Sequence, residues 1–342
     1  MKINRARYLA IALSGTIACA STSALAYEAG FPGSGQPAGI FITATAGAPG
    51  PGIYMFDQLL TYQAKVVGPG APLVNGSPIK VTVASEANGF LFAPGWTFLG
   101  ATYDAVIVQP FAMSNSGFNP SNTGPIFNTL QVGVRNTYIV PAELSWKLGD
   151  SGFFVKTGVG FQLPTGTITG ANGLTSIGSP WYTIQPEFLA SYLKDGWTLS
   201  ANFSLEMNTA STVTGYKSGN VLHAEFQGTK RIGKWTVGPV GYYMGQVSND
   251  TSSAYYRNAI NLERYNIWAA GLLVGYDFGG AQLNVWAVDQ FHADASGGTP
   301  RFPGGPDSAS VATGWKVLAQ LSYRIWAPDA PATQPAMYRK AQ

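Results

Sequence analysis

The stretch Gly196–Asn208, GWTLSANFSLEMN, constrains the fold more than any other part of the chain. Trp197, Leu199, Ala201, Phe203, Leu205 and Met207 are apolar, while Thr198, Ser200, Asn202, Ser204, Glu206 and Asn208 are polar. A strict period of two makes a β-strand with one apolar and one polar face. The pattern recurs along the chain in segments long enough to cross a bilayer, which takes about 9–11 residues of tilted strand. A soluble sandwich could also alternate, but this recurrence along the whole chain at a membrane-matched length decides against it, and the composition suits a lipid-facing wall. Charged residues are 11% of the chain, against roughly a quarter in ordinary soluble proteins, and aromatics are 13%. No run of about 18 apolar residues offers a transmembrane helix. A chain that spans lipid without helices must close into a barrel, because every backbone N–H and C=O needs a partner there.

The N-terminus reads as an export signal. Lys2, Arg5 and Arg7 are basic, Tyr8 to Ala20 is apolar, and Ala24-Leu25-Ala26 is a cleavage site, so residues 1–26 are expected to be removed. Cys19 raises a lipoprotein alternative, but Thr16 stands where an apolar residue is expected. Cleavage after Ala26 leaves no cysteine, hence no disulfide framework and no thiol chemistry. It also takes three positive charges from a formal net charge of +3, and a neutral mature chain argues against nucleic-acid binding. Residues 27–51 are rich in Gly, Pro and Ala without a period. They read either as a flexible periplasmic lead or as a plug in the barrel mouth.

Twelve strands follow, at about 52–66, 79–92, 96–112, 130–148, 152–163, 181–194, 196–208, 219–231, 234–247, 264–278, 281–293 and 313–326. Tight turns of Gly, Pro and Asp alternate with longer connections, as in outer-membrane barrels with short periplasmic turns and long extracellular loops. The barrel therefore occupies 52–326, with a Pro/Ala-rich tail at 327–342. Trp96, Trp181, Trp197, Trp235, Trp315 and Trp326 near strand ends suit interfacial aromatic belts. Segment 264–278 is apolar on both faces. Asp289 shares a face with Leu283 and Val285, which a bulge or a register error would explain.

Alternation turns one set of residues toward the lumen. The polar and charged candidates are Asp57, Asp104, Arg135, Glu143, Lys156, Glu187, Glu206, His223, Glu225, Lys316 and Arg324, with Lys80, Glu86 and Lys147 on the same reckoning. Charges in a membrane barrel face water or each other, so these form either a bracing network or a polar constriction. In 130–148 the alternation puts Tyr138 and Val140 on the lipid side. Off-pattern apolar residues expected inside are Phe154, Leu189, Val221, Trp286, Val288 and Leu318. They either contact a solute or fill a narrow barrel.

Enzymatic signals are thin. His223 and Glu225 share a face, with Ser218 nearby in sequence, which would allow a hydrolase site only if geometry joined them. Two histidines and no mature cysteine make no metal cluster, and no nucleotide motif is present, so neither metal nor cofactor is expected.

Several stretches resemble the family of outer-membrane proteins named for a meta-pathway of phenol degradation. They are Pro51-Gly52-Ile53-Tyr54, Pro164-Thr165-Gly166, Tyr216-Lys217-Ser218-Gly219-Asn220 leading to His223 and Glu225, and Gly241-Tyr242-Tyr243 with Gln246 and Asp250. The resemblance implies a barrel channel that admits hydrophobic, often aromatic, compounds. The expectation is thus a twelve-stranded antiparallel barrel in a Gram-negative outer membrane, in contact with lipid and lipopolysaccharide, that takes up small aromatic solutes. The alternatives are a structural or surface-binding barrel and, third, a lipid hydrolase.

Overall fold

The computed structural model describes residues 35–71, 73–74, 77–78, 80–118, 127–169, 176–256, 258, 264–298 and 309–328. The expected signal at 1–26 with Cys19, the start of segment 27–51 and the tail from 329 onward lie outside the described residues.

Among the described residues twelve long strands form one closed antiparallel barrel. They are β1 (Gly52–Val67), β2 (Lys80–Ala93), β3 (Ala101–Phe118), β4 (Phe127–Val134 and Thr137–Lys147), β5 (Phe153–Leu163) and β6 (Thr183–Lys194). They continue as β7 (Trp197–Asn208), β8 (Val221–Ile232), β9 (Trp235–Gln246), β10 (Arg264–Asp277), β11 (Ala281–Ser296) and β12 (Val311–Trp326). Each strand pairs with the next in sequence, and β12 returns to β1 from Ile53↔Trp326 to Val67↔Val311, so no edge is left. The β6–β7 turn shows how the short connections work. Asp195 and Gly196 both take positive φ, 53° and 74°, which gives a two-residue turn whose twist matches that of the strands it joins.

Four details differ from the alternation read along the chain. Strand β3 starts at Ala101, because Leu99 and Gly100 turn with positive φ and Thr97–Phe98 folds back onto Ala101 and Thr102. Strand β4 changes phase twice, first at the Arg135–Asn136 break and again at Pro141–Ala142, where its register with β5 shifts. Tyr138 and Val140, between the two changes, therefore point inward, although Glu143 keeps the inward place expected for it. Proline has no N–H for the ladder, which favours a bulge there. In β11 a bulge at Gln290–Phe291 shifts the register with β10, but it follows Asp289, which stays on the outer face. Trp181 leaves the belt: it is buried, because Pro180 and Tyr182 on either side of it accept backbone bonds from Thr212 and Thr209 of the next loop.

The outer face of β10 reads Trp268, Ala270, Leu272, Val274, Tyr276. Trp268 packs on Tyr243 and Tyr276 on Trp235, so aromatic pairs bracket an aliphatic middle. Eight residue steps of about 3.3 Å, tilted by about 40°, give an apolar band on the order of 20 Å tall, close to the band of known outer-membrane barrels. The wide lumenal apolarity of β10 has a separate cause: its inner residues Tyr265, Ile267, Ala269 and Leu273 belong to an apolar cluster inside the barrel.

At the long-loop end Asp250 ties two loops together. Its Oδ2 accepts from the Tyr216 hydroxyl at 2.5 Å, and its Oδ1 accepts from Gly219 N at 2.6 Å and Gln246 Nε2 at 2.7 Å. Burial pushes its carboxyl up to about 6 against the pull of those three donors.

Two outcomes are expected. Leu272, midway between the aromatic rows and exposed to lipid, should not tolerate charge: Leu272→Arg should cost about 2–4 kcal/mol of unfolding free energy in phospholipid vesicles. The Asp250 clasp binds its proton more tightly folded than unfolded. Its contribution is therefore full below pH ~4 and lost as pH rises through ~6. Hydrogen exchange at the Gly219 amide, corrected for intrinsic rate, should lose protection over that interval, and Asp250→Asn should remove the dependence.

Candidate functional site

The N-terminal segment 35–50 runs through the lumen, and its backbone is held by side chains from around the wall. Glu206 of β7 accepts from Gly35 N and Gln36 N, both at 3.2 Å. Glu225 of β8 accepts from Gly39 N at 2.7 Å and Phe41 N at 2.8 Å. Successive N–H groups around one carboxylate satisfy a charge that would otherwise be costly to bury. Carbonyls of the same segment are taken in turn by Arg135, by Lys316 at 2.9 Å (Ala38), by Trp286 Nε1 at 3.0 Å (Gly39) and by Gln58 at 2.9 Å (Ile40). Further along, Ser145 donates to Ala46 O, and Ser191 accepts from Ala46 N at 2.8 Å. Gly39 is needed for this path: its φ is +95°, and a Cβ there would sit 3.1 Å from the Tyr242 ring.

The lumen has two halves. On the β8–β12 side, Val221, Trp286, Val288 and Leu318 pack with Leu60, Tyr242, Met244, Tyr265 and Leu273 around Ala38 and Ile42 of the segment. Lys316 crosses this half with its ammonium 5.0 Å from the ring centres of both Tyr62 and Tyr242. On the β3–β7 side, Lys156 Nζ bonds both Asp104 oxygens, at 2.9 and 3.2 Å, and Glu143 Oε2 at 3.1 Å. Glu187 stands in the same row as Glu143, with only Gly158 between them across the strands. His223 Nε2 is 3.3 Å from Glu206 Oε1.

Between the segment and the wall lies a cavity of about 340 Å³. Phe56, Leu60, Leu91, Val106 and Val108 form one side of it, and Tyr138, Glu143, Lys156, Glu187, Leu189 and Asn202 the other. Of the apolar candidates read from sequence, Leu189 lines this cavity, and Phe154 lies against Gly47 of the segment. Among the charged ones, Asp104, Arg135, Glu143, Lys156, Glu187, Glu206, His223, Glu225 and Lys316 point inward, nearly all of them buried. Arg324 has inward parity but is exposed at the short-turn rim beside Gly52.

Asp57 is different. Phe56, Gln58 and Leu60 line the cavity, so Asp57 sits on the outer face beside Leu59, opposite Asn88 and Leu321. Glu86 and Lys80 follow it outward, because Ser85, Ala87 and Leu91 of β2 take the inner face. The reason is common to all three: here the lumen wall is apolar, so the rule that polar residues point inward inverts. The same inversion hid Phe56, Leu91, Val106 and Val108 from sequence reasoning. Tyr138 and Val140 were hidden by the phase changes in β4.

Among the described residues, Ser218 and His223 form no nucleophile–base pair. Ser218 Oγ has no hydrogen-bond partner, His223 Nε2 is turned to Glu206, and both Glu225 oxygens are engaged by the segment.

The fold is similar to that of an outer membrane channel from Pseudomonas putida F1, with a TM-score of 0.64 and 12% identity over 84% of this chain and 98% of that one. The β domain of the Bordetella autotransporter Brka aligns with a TM-score of 0.44 and 13% identity, over 80% of this chain and 99% of that one. At 12% identity the likeness to the channel is one of fold. No curated protein shows significant sequence similarity to the chain. Residues 63–301, well over half of the sequence, match the family described as "Putative MetA-pathway of phenol degradation", and the protein belongs to that family of outer-membrane barrels.

Proposed function

We propose that the barrel is a passive uptake channel for small hydrophobic or aromatic compounds, with the lumenal segment as its gate. The observation that carries this reading is the half-apolar cavity beside the segment. Its volume of about 340 Å³ is ample for one aromatic ring, since a dry cavity of about 150 Å³ holds benzene. The lipopolysaccharide leaflet resists apolar solutes, whereas an apolar lumen wall offers them a place to leave water. Membership in a family named for phenol degradation, and the description of the Pseudomonas putida relative as an outer membrane channel, support the same reading. The segment is held by separate hydrogen bonds from several strands, which supports release one anchor at a time.

Initial uptake of a labelled aromatic at low micromolar concentration should be faster in cells with the gene than without it. A variant lacking residues 27–51 should be faster still. Equal uptake across a broad panel, with the barrel confirmed in the outer membrane, would leave a structural barrel as the better reading. Glu225→Leu isolates one anchor, because it strands the Gly39 and Phe41 amides. Unpaired buried donors cost about 1–3 kcal/mol each, so the open-to-closed ratio in planar bilayers should rise roughly tenfold or more.

A further inference from the structure

Three polar atoms on one side of the cavity have no hydrogen-bond partner: Glu187 Oε1, Tyr138 Oη and Asn202 Oδ1. All three residues line the cavity, and their exposures are 6%, 4% and 4%. Buried polar groups are nearly always satisfied, so three orphans on residues that line one cavity call for a partner there.

The geometry brings them together. Tyr138 lies over Gly160, where a Cβ would come within 2.2 Å of its hydroxyl oxygen. Gly160 pairs with Gln185, two residues from Glu187 on β6. Asn202 pairs with Leu189, two residues from Glu187 on the other side. The nearby donors are already used. Lys156 gives its protons to Asp104 and Glu143, and Arg135 donates to Gly35 O. Three acidic side chains, those of Asp104, Glu143 and Glu187, are thus set around one ammonium. Across from it, Phe56, Leu60, Leu91, Val106 and Val108 supply an apolar surface.

We propose that Glu187, Tyr138 and Asn202 form a subsite for the hydrogen-bond-donating head of a small amphiphile, a hydroxyl or an ammonium on an apolar ring, and that this subsite rejects the matching carboxylate. A donor completes Glu187 Oε1 and Asn202 Oδ1, and a hydroxyl head can in turn accept from the Tyr138 O–H. A carboxylate brings more acceptors and a like charge, and discrimination of this kind works through the unpaired group as much as the paired one. The inference rests on reading the cavity as the solute's path.

The test uses the mature barrel in detergent and four probes of one size: benzyl alcohol, benzylamine, toluene and benzoate, titrated by calorimetry. Benzyl alcohol or benzylamine should bind about tenfold more tightly than toluene, benzoate should not bind, and Glu187→Leu should erase the preference. A preference for the alcohol assigns the head as a hydroxyl, and one for the amine as an ammonium. Either result supports the subsite. Equal affinity for benzyl alcohol and toluene, or benzoate binding as tightly as either, would overturn it and leave the orphans to ordered water. Heat-dependent gel mobility reports folding. Should Glu187→Leu not fold, Tyr138→Phe carries the comparison, with a loss of several-fold expected for benzyl alcohol and none for toluene. Flux of the same probes into vesicles holding the barrel separates the two ideas. Selective binding without flux would remove the channel and keep the subsite, and flux without selectivity would do the reverse.

Discussion

In hydrocarbon a strand edge has no water to satisfy it, and the pairing of β12 with β1 removes the last edge. Everything else in the molecule is arranged around that closure. The ladder must hold even where the sequence carries Pro110, Pro141, Pro186 and Pro239 within strands. At Pro141 the accommodation is a register shift, and it changes which residues face the lumen. That shift and the break at Arg135–Asn136 together turn Tyr138 and Val140 toward the cavity.

Closure also makes an interior that must be filled or left open. Here it is filled by the chain's own start. The segment 35–50 has no ladder of its own, so its amides and carbonyls must find partners among inward side chains. Glu206, Glu225, Lys316, Arg135 and Trp286 provide them. The lumenal charges therefore do two jobs. Some, such as Lys156 with Asp104 and Glu143, neutralise each other. Others solvate a stretch of peptide in place of water. The two are hard to tell apart from residue type alone.

The outer surface shows how far a simple rule carries. Where one face meets lipid and the other a polar lumen, and no bulge shifts the phase, alternation assigns the side chains correctly, as in β7 with Phe203 outside and Glu206 inside. Where the lumen is itself apolar, the rule has nothing to sort on. Segment 264–278 is apolar twice over for that reason. On β1 and β2 the polarity reverses, and Asp57 and Glu86 stand outside.

The sequence by itself determined the class of the fold, the number and order of the strands, the turn and loop ends, and most of the charged residues that point inward. These follow from a period of two and from the lengths between turns, both local properties. Only the tertiary structure decided where the N-terminal segment lies, which wall of the lumen is apolar, and which atoms are left without partners. Gly39 and Glu225 are 186 residues apart in the chain, and no local pattern marks them as neighbours. The cavity likewise belongs to no strand. It is the space left between a filling segment and a closed wall, and it exists only once both are in place.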